Sequence, residues 1–376
     1  MRQIAIFRSE LLRVSETFIL TQANSLQQYT PHLVGLRRAG RSLPLPDGAV
    51  ILGSGRYSAA LKAKVYAGFP FAPFFHRRIA RLGASVIHAH FAPDGALAVS
   101  VAEKLGIPLV VTLHGYDVTI RTDFQTRYGK LWRKADLFIC VSEFIRKKAI
   151  EAGFPPEKLV VHYIGIDRKR FAPADSDRAD GMVLFVGRLV EKKGCSYLLR
   201  AMQRVQNRYT NAHLVIIGDG PLRKSLEQYA QELKLDCNFL GAQSQDVVRK
   251  NLQSASVLCV PSVAARNGDS EGLPITILEA LCMKVPVVAS RHAGIPEAVL
   301  DGETGLLASE RDEKELAEQI LRFLEDEPFR NACTRRGSDW IATQFDLIKQ
   351  TSLLEDIYTK VCSIIHRRAH SHDFCQ

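Results

Sequence analysis

The feature that most constrains this 376-residue chain is a pattern that runs through it twice. Short, β-rich apolar runs alternate with stretches of helical periodicity. IAIF, HLVGL, AVILG, VIHAHF, PLVVTLHG, LFICVS and LVVHYIG form one series; MVLFVGRL, HLVIIGDG, CNFLGA, VLCVPS, PVVAS and TGLLA form the next. Strands this apolar are buried on both faces, and helices between them make every connection a crossover. The pattern therefore predicts an α/β protein with parallel sheets covered by helices. It restarts after the short polar stretch APADSDRADG, so two Rossmann-like domains are expected, residues 1–177 and 178–345. Residues 346–376 continue as a helix with no strand after it, and this helix is expected to return to the N-terminal domain, followed by a tail. The strand ends of the two sheets are expected to face each other across a cleft, where open α/β sheets bind ligands.

Composition removes several alternatives. At 46% hydrophobic residues, the chain is apolar enough to bury two cores. MRQIAIF reads at once as a strand, so no secretory leader is expected. No stretch approaches the roughly 20 apolar residues of a spanning helix, the nearest being interrupted by Pro70, Pro73, His76 and Arg77. Eight cysteines (Cys140, Cys195, Cys237, Cys259, Cys282, Cys333, Cys362 and Cys375) lack any CxxC spacing, and several sit in strand-like runs. They read as reduced core thiols rather than a zinc or redox site. The net charge of +10 is uneven: residues 1–175 carry 25 Lys/Arg against 13 Asp/Glu, and the remainder 25 against 27. A basic first half fits an anionic partner, although solubility alone accounts for many basic domains. No nucleic-acid-binding motif accompanies it, and no nucleic acid is expected. The segment RYSAALKAKVYAGFPFAPFFHRRIARLG mixes Arg56, Lys62, Lys64, Arg77, Arg78 and Arg81 with Tyr66, Phe69, Phe71, Phe74 and Phe75, which fits an anionic membrane surface; the alternative buries the aromatics against the sheet.

Four motifs carry chemistry. In VGRLVEKKG a strand ends at Gly187 and releases Arg188 and Lys193 from one turn, two cations suited to a diphosphate, unless the loop is merely solvated. In IIGDGPLRKSLE, Gly218 and Gly220 permit a tight turn before a helix, which is either a phosphate loop or ordinary Rossmann architecture. In GDSEGLPITILEALC, Glu271 and Glu279 are separated by seven residues, and Gly272, Leu273 and Pro274 lead into a helix starting near Ile275. The Ile275 and Thr276 amides would then be open to phosphate oxygens and the two carboxylates to hydroxyls, although two such glutamates are commonly surface residues. In TLHGYD a strand delivers His114 and Gly115, while His88 and His90 of VIHAHF share one face of a strand and either read an acceptor or cap the core. Asp175 and Asp177 have the spacing of a metal-binding DxD but fall in the linker and read as solvated, so no metal site is expected.

The order of these motifs, a basic GRLxxxKG turn, GDGP, FLG, a VPS strand and ExxxxxxxE, resembles the family-four retaining glycosyltransferases of the GT-B fold over nearly the full length. The resemblance implies a UDP- or GDP-sugar donor, with Arg188 and Lys193 on the diphosphate, Glu271 on the sugar hydroxyls, Glu279 on the ribose and His114 near the donor sugar. It also implies retention of anomeric configuration by a front-face substitution, with no cofactor and no metal. FRSELLRVSETFI after the first strand departs from the Gly-rich turn of many relatives. It is similar to the branch acting in bacterial exopolysaccharide and colanic acid assembly, as is NGDSEGLP. An acceptor site at Ser15, Glu16, Thr17 and His90, and a polyprenyl-diphosphate-linked glycan as acceptor at the cytoplasmic face of the membrane, follow as expectations. SETF could equally cap a helix through Ser15 or Thr17. An epimerase of the same fold or a transferase with a soluble acceptor are the alternatives. No complete GxGxxG follows either opening strand, which disfavours a nicotinamide dehydrogenase.

Overall fold

The computed structural model describes residues 1–373 except 12, 14, 15, 41, 42, 54, 55, 71, 121 and 174–177; side chains 56 and 57 and those from 364 onward are also outside the description. Its contacts divide into two units. Each is described by itself.

The N-terminal unit holds Met1–Val118, Thr122–Gly165 and the chain from Leu347 onward. Its strands are β1 (Arg2–Leu11), β2 (Tyr29–Arg38), β3 (Val50–Ile51), β4 (Ala84–His90), β5 (Leu109–Leu113), β6 (Leu137–Cys140) and β7 (Leu159–Val161). They form a parallel sheet in the order β3-β2-β1-β4-β5-β6-β7. The order reverses between β1 and β4, so the crevice beyond their carboxyl ends is where such a sheet receives a ligand. Every apolar run of the first series is one of these strands, and Val86, Val110, Leu113 and Phe138 are wholly buried. The C-terminal helix Leu347–Asp373 packs Leu354, Tyr358 and Val361 into the core that contains Ile4, Val86 and Val110. It is fastened there by Glu355, whose Oε1 accepts the amides of Gln27 at 2.7 Å, Gln28 at 2.6 Å and Tyr29 at 3.2 Å.

The second unit holds Ile166–Asp346 together with Thr119–Arg121. Its strands are β8 (Met182–Val186), β9 (His213–Ile217), β10 (Cys237–Gly241), β11 (Val257–Val260), β12 (Val287–Ser290) and β13 (Leu306–Ala308), parallel in the order β10-β9-β8-β11-β12-β13. Here the reversal lies between β8 and β11. The loop leaving β8 crosses the end of β11 so closely that a Cβ on Gly194 would stand 1.8 Å from the Pro261 carbonyl oxygen, and Gly194 has φ +64°. Only glycine meets both demands.

No helix among the described residues is long and apolar enough to cross a membrane. Cys140, Cys195, Cys259, Cys282, Cys333 and Cys362 are free and buried, and Cys237 is free and half-buried.

Candidate active site

In the second unit the motif residues collect beyond the carboxyl ends of β8, β9 and β11. After Val186 the chain passes Gly187 and the exposed Arg188, then makes a short turn, Glu191–Lys193. The stem of Lys193 lies against Gly187, 3.5 Å from the position of a Cβ there. Its Nζ is 3.0 Å from Glu271 Oε1. Lys192 takes a share that the spacing of single residues did not reveal: its Nζ donates to Asp269 Oδ1 at 2.9 Å and to the Ser270 carbonyl at 3.3 Å, tying the loop before Glu271 to the β8 turn.

Glu271 is buried, and burial pushes its carboxyl up, but Lys193, Lys192 and His292 outweigh that and hold it below its ordinary value. It is an anion at neutral pH. His292, also buried, pairs its Nδ1 with Glu310 Oε1 at 2.6 Å, a second participant that no local motif announced. Gly272, Leu273 and Pro274 carry the chain from Glu271 to the helix Ile275–Cys282, where Pro274 occupies the N-cap. Ile277 N already bonds the Pro274 carbonyl, so Ile275 and Thr276, both half-buried, are the first-turn residues whose amides no helical carbonyl can reach. Glu279 lies in the second turn of this helix and is buried. Burial raises its carboxyl to about 7, against the opposing effects of a side-chain hydrogen bond from Gln245 and the Arg170 charge.

Gly218 and Gly220 have a packing explanation. A Cβ on Gly218 would fall 1.8 Å from the Gly187 carbonyl oxygen and one on Gly220 2.4 Å from that of Leu189. These glycines let the loops after β8 and β9 touch backbone to backbone, with Gly187 N donating to Ile217 O and Leu189 N to Asp219 O.

In the N-terminal unit the residues gather at the ends of β1, β4 and β5. His88 is a core clamp: its Nδ1 meets Tyr358 Oη and its Nε2 meets Thr112 Oγ1, both at 2.7 Å. His90 points to His114, Nδ1 to Nε2 at 3.1 Å. The backbone around His114 is shaped by buried Asp117, whose carboxylate accepts the amides of Ala92, His114 and Gly115 and so joins the loops after β4 and β5. At the end of β1, buried Arg8 binds the carboxylate of Asp94, the carbonyl of His90 at 3.1 Å, and Glu16, with Nη2 2.5 Å from Oε1 and Nε 3.3 Å from Oε2. Glu16, expected at an acceptor, therefore has both oxygens engaged within the protein. It stands at the N-cap of the helix Thr17–Asn24 without a side-chain capping bond, and Thr17 is the first helical residue. Ser15, Asp175 and Asp177 lie outside the described residues. Among the described residues there is no group of three or more His, Cys, Asp or Glu side chains able to hold a metal ion.

Residues 15–170 match the family model Glycosyltransferase Family 4, and residues 167–340 match Glycosyl transferases group 1. The protein named colanic acid biosynthesis glycosyltransferase WcaL of Salmonella typhimurium is 33% identical over 253 residues, 64% of this chain and 61% of WcaL. The alignment thus spans less than two thirds of that relative. The uncharacterized glycosyltransferase MJ1178 of Methanocaldococcus jannaschii is 32% identical over 263 residues, 69% of this chain and 70% of MJ1178. Among solved structures, Anabaena HepE in complex with UDP and glucose superposes with a TM-score of 0.79, covering 96% of this chain and 100% of its own at 18% identity, which speaks for the fold alone. With two parallel βα units and this agreement along nearly its whole length, the chain belongs to the group 1 and family-four glycosyltransferases and has the GT-B fold.

Proposed function

We propose that this protein transfers a sugar from a UDP- or GDP-linked donor to a lipid-linked glycan in exopolysaccharide or cell-envelope polysaccharide assembly. The observation that carries the proposal is the surroundings of the helix Ile275–Cys282. Its open first turn follows an ionised Glu271, with Lys193 in contact and Arg188 exposed on the neighbouring turn. A diphosphate would take the cations and the amides, the sugar hydroxyls would donate to Glu271, and the ribose hydroxyls to Glu279.

In the reaction proposed, the bond from the anomeric carbon to the diphosphate oxygen breaks and the acceptor oxygen bonds that carbon on the same face. The acceptor proton passes to the departing diphosphate, and configuration is retained. His114 is assigned to the donor sugar by family resemblance. The cations and helix amides offset the leaving charge, so no metal is required. WcaL's naming for colanic acid supports an exopolysaccharide, and the UDP complex of HepE makes UDP-sugars the first to try. A lipid-linked acceptor fits the exposed apolar side chains Leu61, Val65, Phe69 and Phe74 beside Lys62, Lys64, Arg77 and Arg78 in the basic N-terminal unit, a face suited to the anionic inner surface of the cytoplasmic membrane.

The test incubates the protein with UDP- and GDP-sugars, with and without polyprenyl-diphosphate-linked glycans, in the presence of a chelator. Nucleoside diphosphate is expected only when acceptor is present, with an unchanged rate in chelator and a product of the donor's anomeric configuration. Interconversion of the donor sugar without acceptor would instead make the protein an epimerase.

A further inference from the structure

Beyond the carboxyl ends of β1, β4 and β5 the N-terminal unit sets charged groups beside aromatic rings. The charged groups are buried and engaged within the fold. Arg8 binds Asp94, Glu16 and the His90 carbonyl, Asp94 also accepts the Ser9 amide at 3.1 Å, and Asp117 accepts three loop amides. Next to them runs a row of rings. Tyr116 lies 5.2 Å from Phe91 at an interplanar angle of 25°, Phe91 lies 4.3 Å from His114, and His114 5.2 Å from Phe18. Phe18, Phe91 and His114 are half-buried, whereas Tyr116 is 39% exposed. In the short helix Tyr116–Thr119, Asp117 is drawn inward to the loop amides and its neighbour Tyr116 is left at the surface. Phe91 holds φ +73° and ψ 139°, a region that glycine enters freely and a residue with a side chain occupies only when its surroundings impose it. Its backbone bonds, an amide on the Thr112 carbonyl and a carbonyl on the Asp94 and Gly95 amides, need no side chain. The strained position thus retains a ring, backed by the Arg8 guanidinium 4.5 Å from its centroid.

We infer that Tyr116 and Phe91 form a shelf on which a sugar ring of the acceptor glycan stacks. The word acceptor rests on the transferase reaction proposed above; the shelf itself does not. A pyranose carries its hydroxyls around the rim and presents C–H groups on its faces. An aromatic face is negative, so it attracts those C–H groups while the hydroxyls keep their contact with water. Such a contact asks no charge of the protein, which suits a place where the carboxylates and the guanidinium already hold one another. It also takes over from the polar site expected at Glu16 and His90, both of which are buried and bound to protein partners.

The experiment records saturation-transfer NMR spectra of free glucose, galactose, mannose and fucose with the full chain, as wild type, Tyr116→Ala, Tyr116→Leu and Tyr116→Phe, and adds thermal shift with UDP and GDP. At least one sugar is expected to take up saturation mainly on the C–H protons of one face. Tyr116→Ala and Tyr116→Leu should bind it about tenfold more weakly, and Tyr116→Phe as the wild type does. Phe91→Gly, which keeps the backbone state without its strain, is a second disrupting variant and should match Tyr116→Ala. With a polyprenyl-diphosphate-linked glycan that the wild type accepts, the disrupting variants should raise the acceptor KM about tenfold and leave that of the nucleotide sugar unchanged. Saturation of no sugar by the wild type, or equal binding by wild type and Tyr116→Ala, would overturn the shelf. Wild-type binding by Tyr116→Leu would overturn stacking on an aromatic face. Weaker binding by Tyr116→Ala, from a wild type that transfers nothing, would uphold the shelf and remove the transferase reading. A raised KM for the nucleotide sugar, or loss of the stabilisation by UDP or GDP in Tyr116→Ala, would assign the ring to the donor and overturn the acceptor role.

Discussion

Glu271 and Glu279 show how two identical side chains in one motif acquire opposite properties. Both are buried, but Glu271 faces Lys193 and Lys192 and stays ionised, whereas Glu279 has a neutral amide partner and a more remote cation, so its carboxyl rises to about 7. The sign follows directly. Between its ordinary value of 4.5 and about 7 the folded protein keeps a proton that the unfolded chain has lost, so this group's contribution to stability declines as pH rises through that window. Ribose hydroxyls donating to Glu279 would favour the carboxylate, and nucleotide binding should then release a proton. Calorimetry at about pH 6.5 in two buffers of different ionisation enthalpy is expected to show that release, and Glu279→Gln to abolish it. An identical proton count in both proteins would remove the ribose role. The pairing of these glutamates with a helix start was legible in the sequence because Gly272, Pro274 and their spacing are local. The Arg8 network was not: its partners lie 8 and 86 residues away in the chain, and only the sheet order brings β1 and β4 together. Equal strand spacing likewise could not separate His88 from His90, because Tyr358, which makes His88 a clamp, is 270 residues away.

Strands were the most legible elements, since parallel strands buried on both faces read as apolar runs whatever their neighbours. Helix faces were harder. In the helix Arg56–Gly68 the periodicity mixes apolar and basic residues, and the structure divides the aromatics that the sequence left together. Tyr66 and Phe75 are buried with rings 5.9 Å apart, and Tyr66 Oη reaches His76 Nε2 at 2.9 Å, which joins this helix to the next, Pro73–Ala80. Leu61, Val65 and Phe69, four residues apart, stay 65%, 59% and 67% exposed, with Phe74 at 85%. Phe71 lies outside the described residues. An apolar stripe flanked by cations would suit the anionic lipid surface proposed above, where each cation would contribute about 1 kcal/mol. Changing Lys62, Lys64, Arg77 and Arg78 to Gln should weaken cosedimentation with anionic vesicles by about a hundredfold or more at low salt. Changing Leu61, Val65, Phe69 and Phe74 to Ser should remove the part that high salt leaves. If the wild type shows no preference for anionic over neutral vesicles at low salt, a soluble acceptor becomes the better account.

At the scale of the whole molecule the halves differ in charge as they do in proposed task. Residues 1–175 carry nearly twice as many cations as anions, while the rest is close to balanced and confines its functional cations to one turn. The division into two βα series was legible because the strand pattern restarts, and the return of the C-terminal helix because no strand follows it. What holds that helix, the Glu355 carboxylate on three successive amides, required the folded structure. The central claim is that the second unit binds a nucleoside diphosphate through the turn after β8. It is tested most directly by thermal shift with UDP and with GDP, on the wild type and on Arg188→Ala. Arg188 is the cleaner choice because it is exposed, whereas loss of Lys193 would leave buried Glu271 without its nearest cation. One nucleotide at a hundred times its dissociation constant should stabilise the wild type by about 2.7 kcal/mol. Arg188→Ala should melt as the wild type does when unliganded, yet need about ten to over a hundred times more nucleotide for the same shift. No stabilisation of the wild type by either nucleotide, or identical titrations for the two proteins, would contradict the claim.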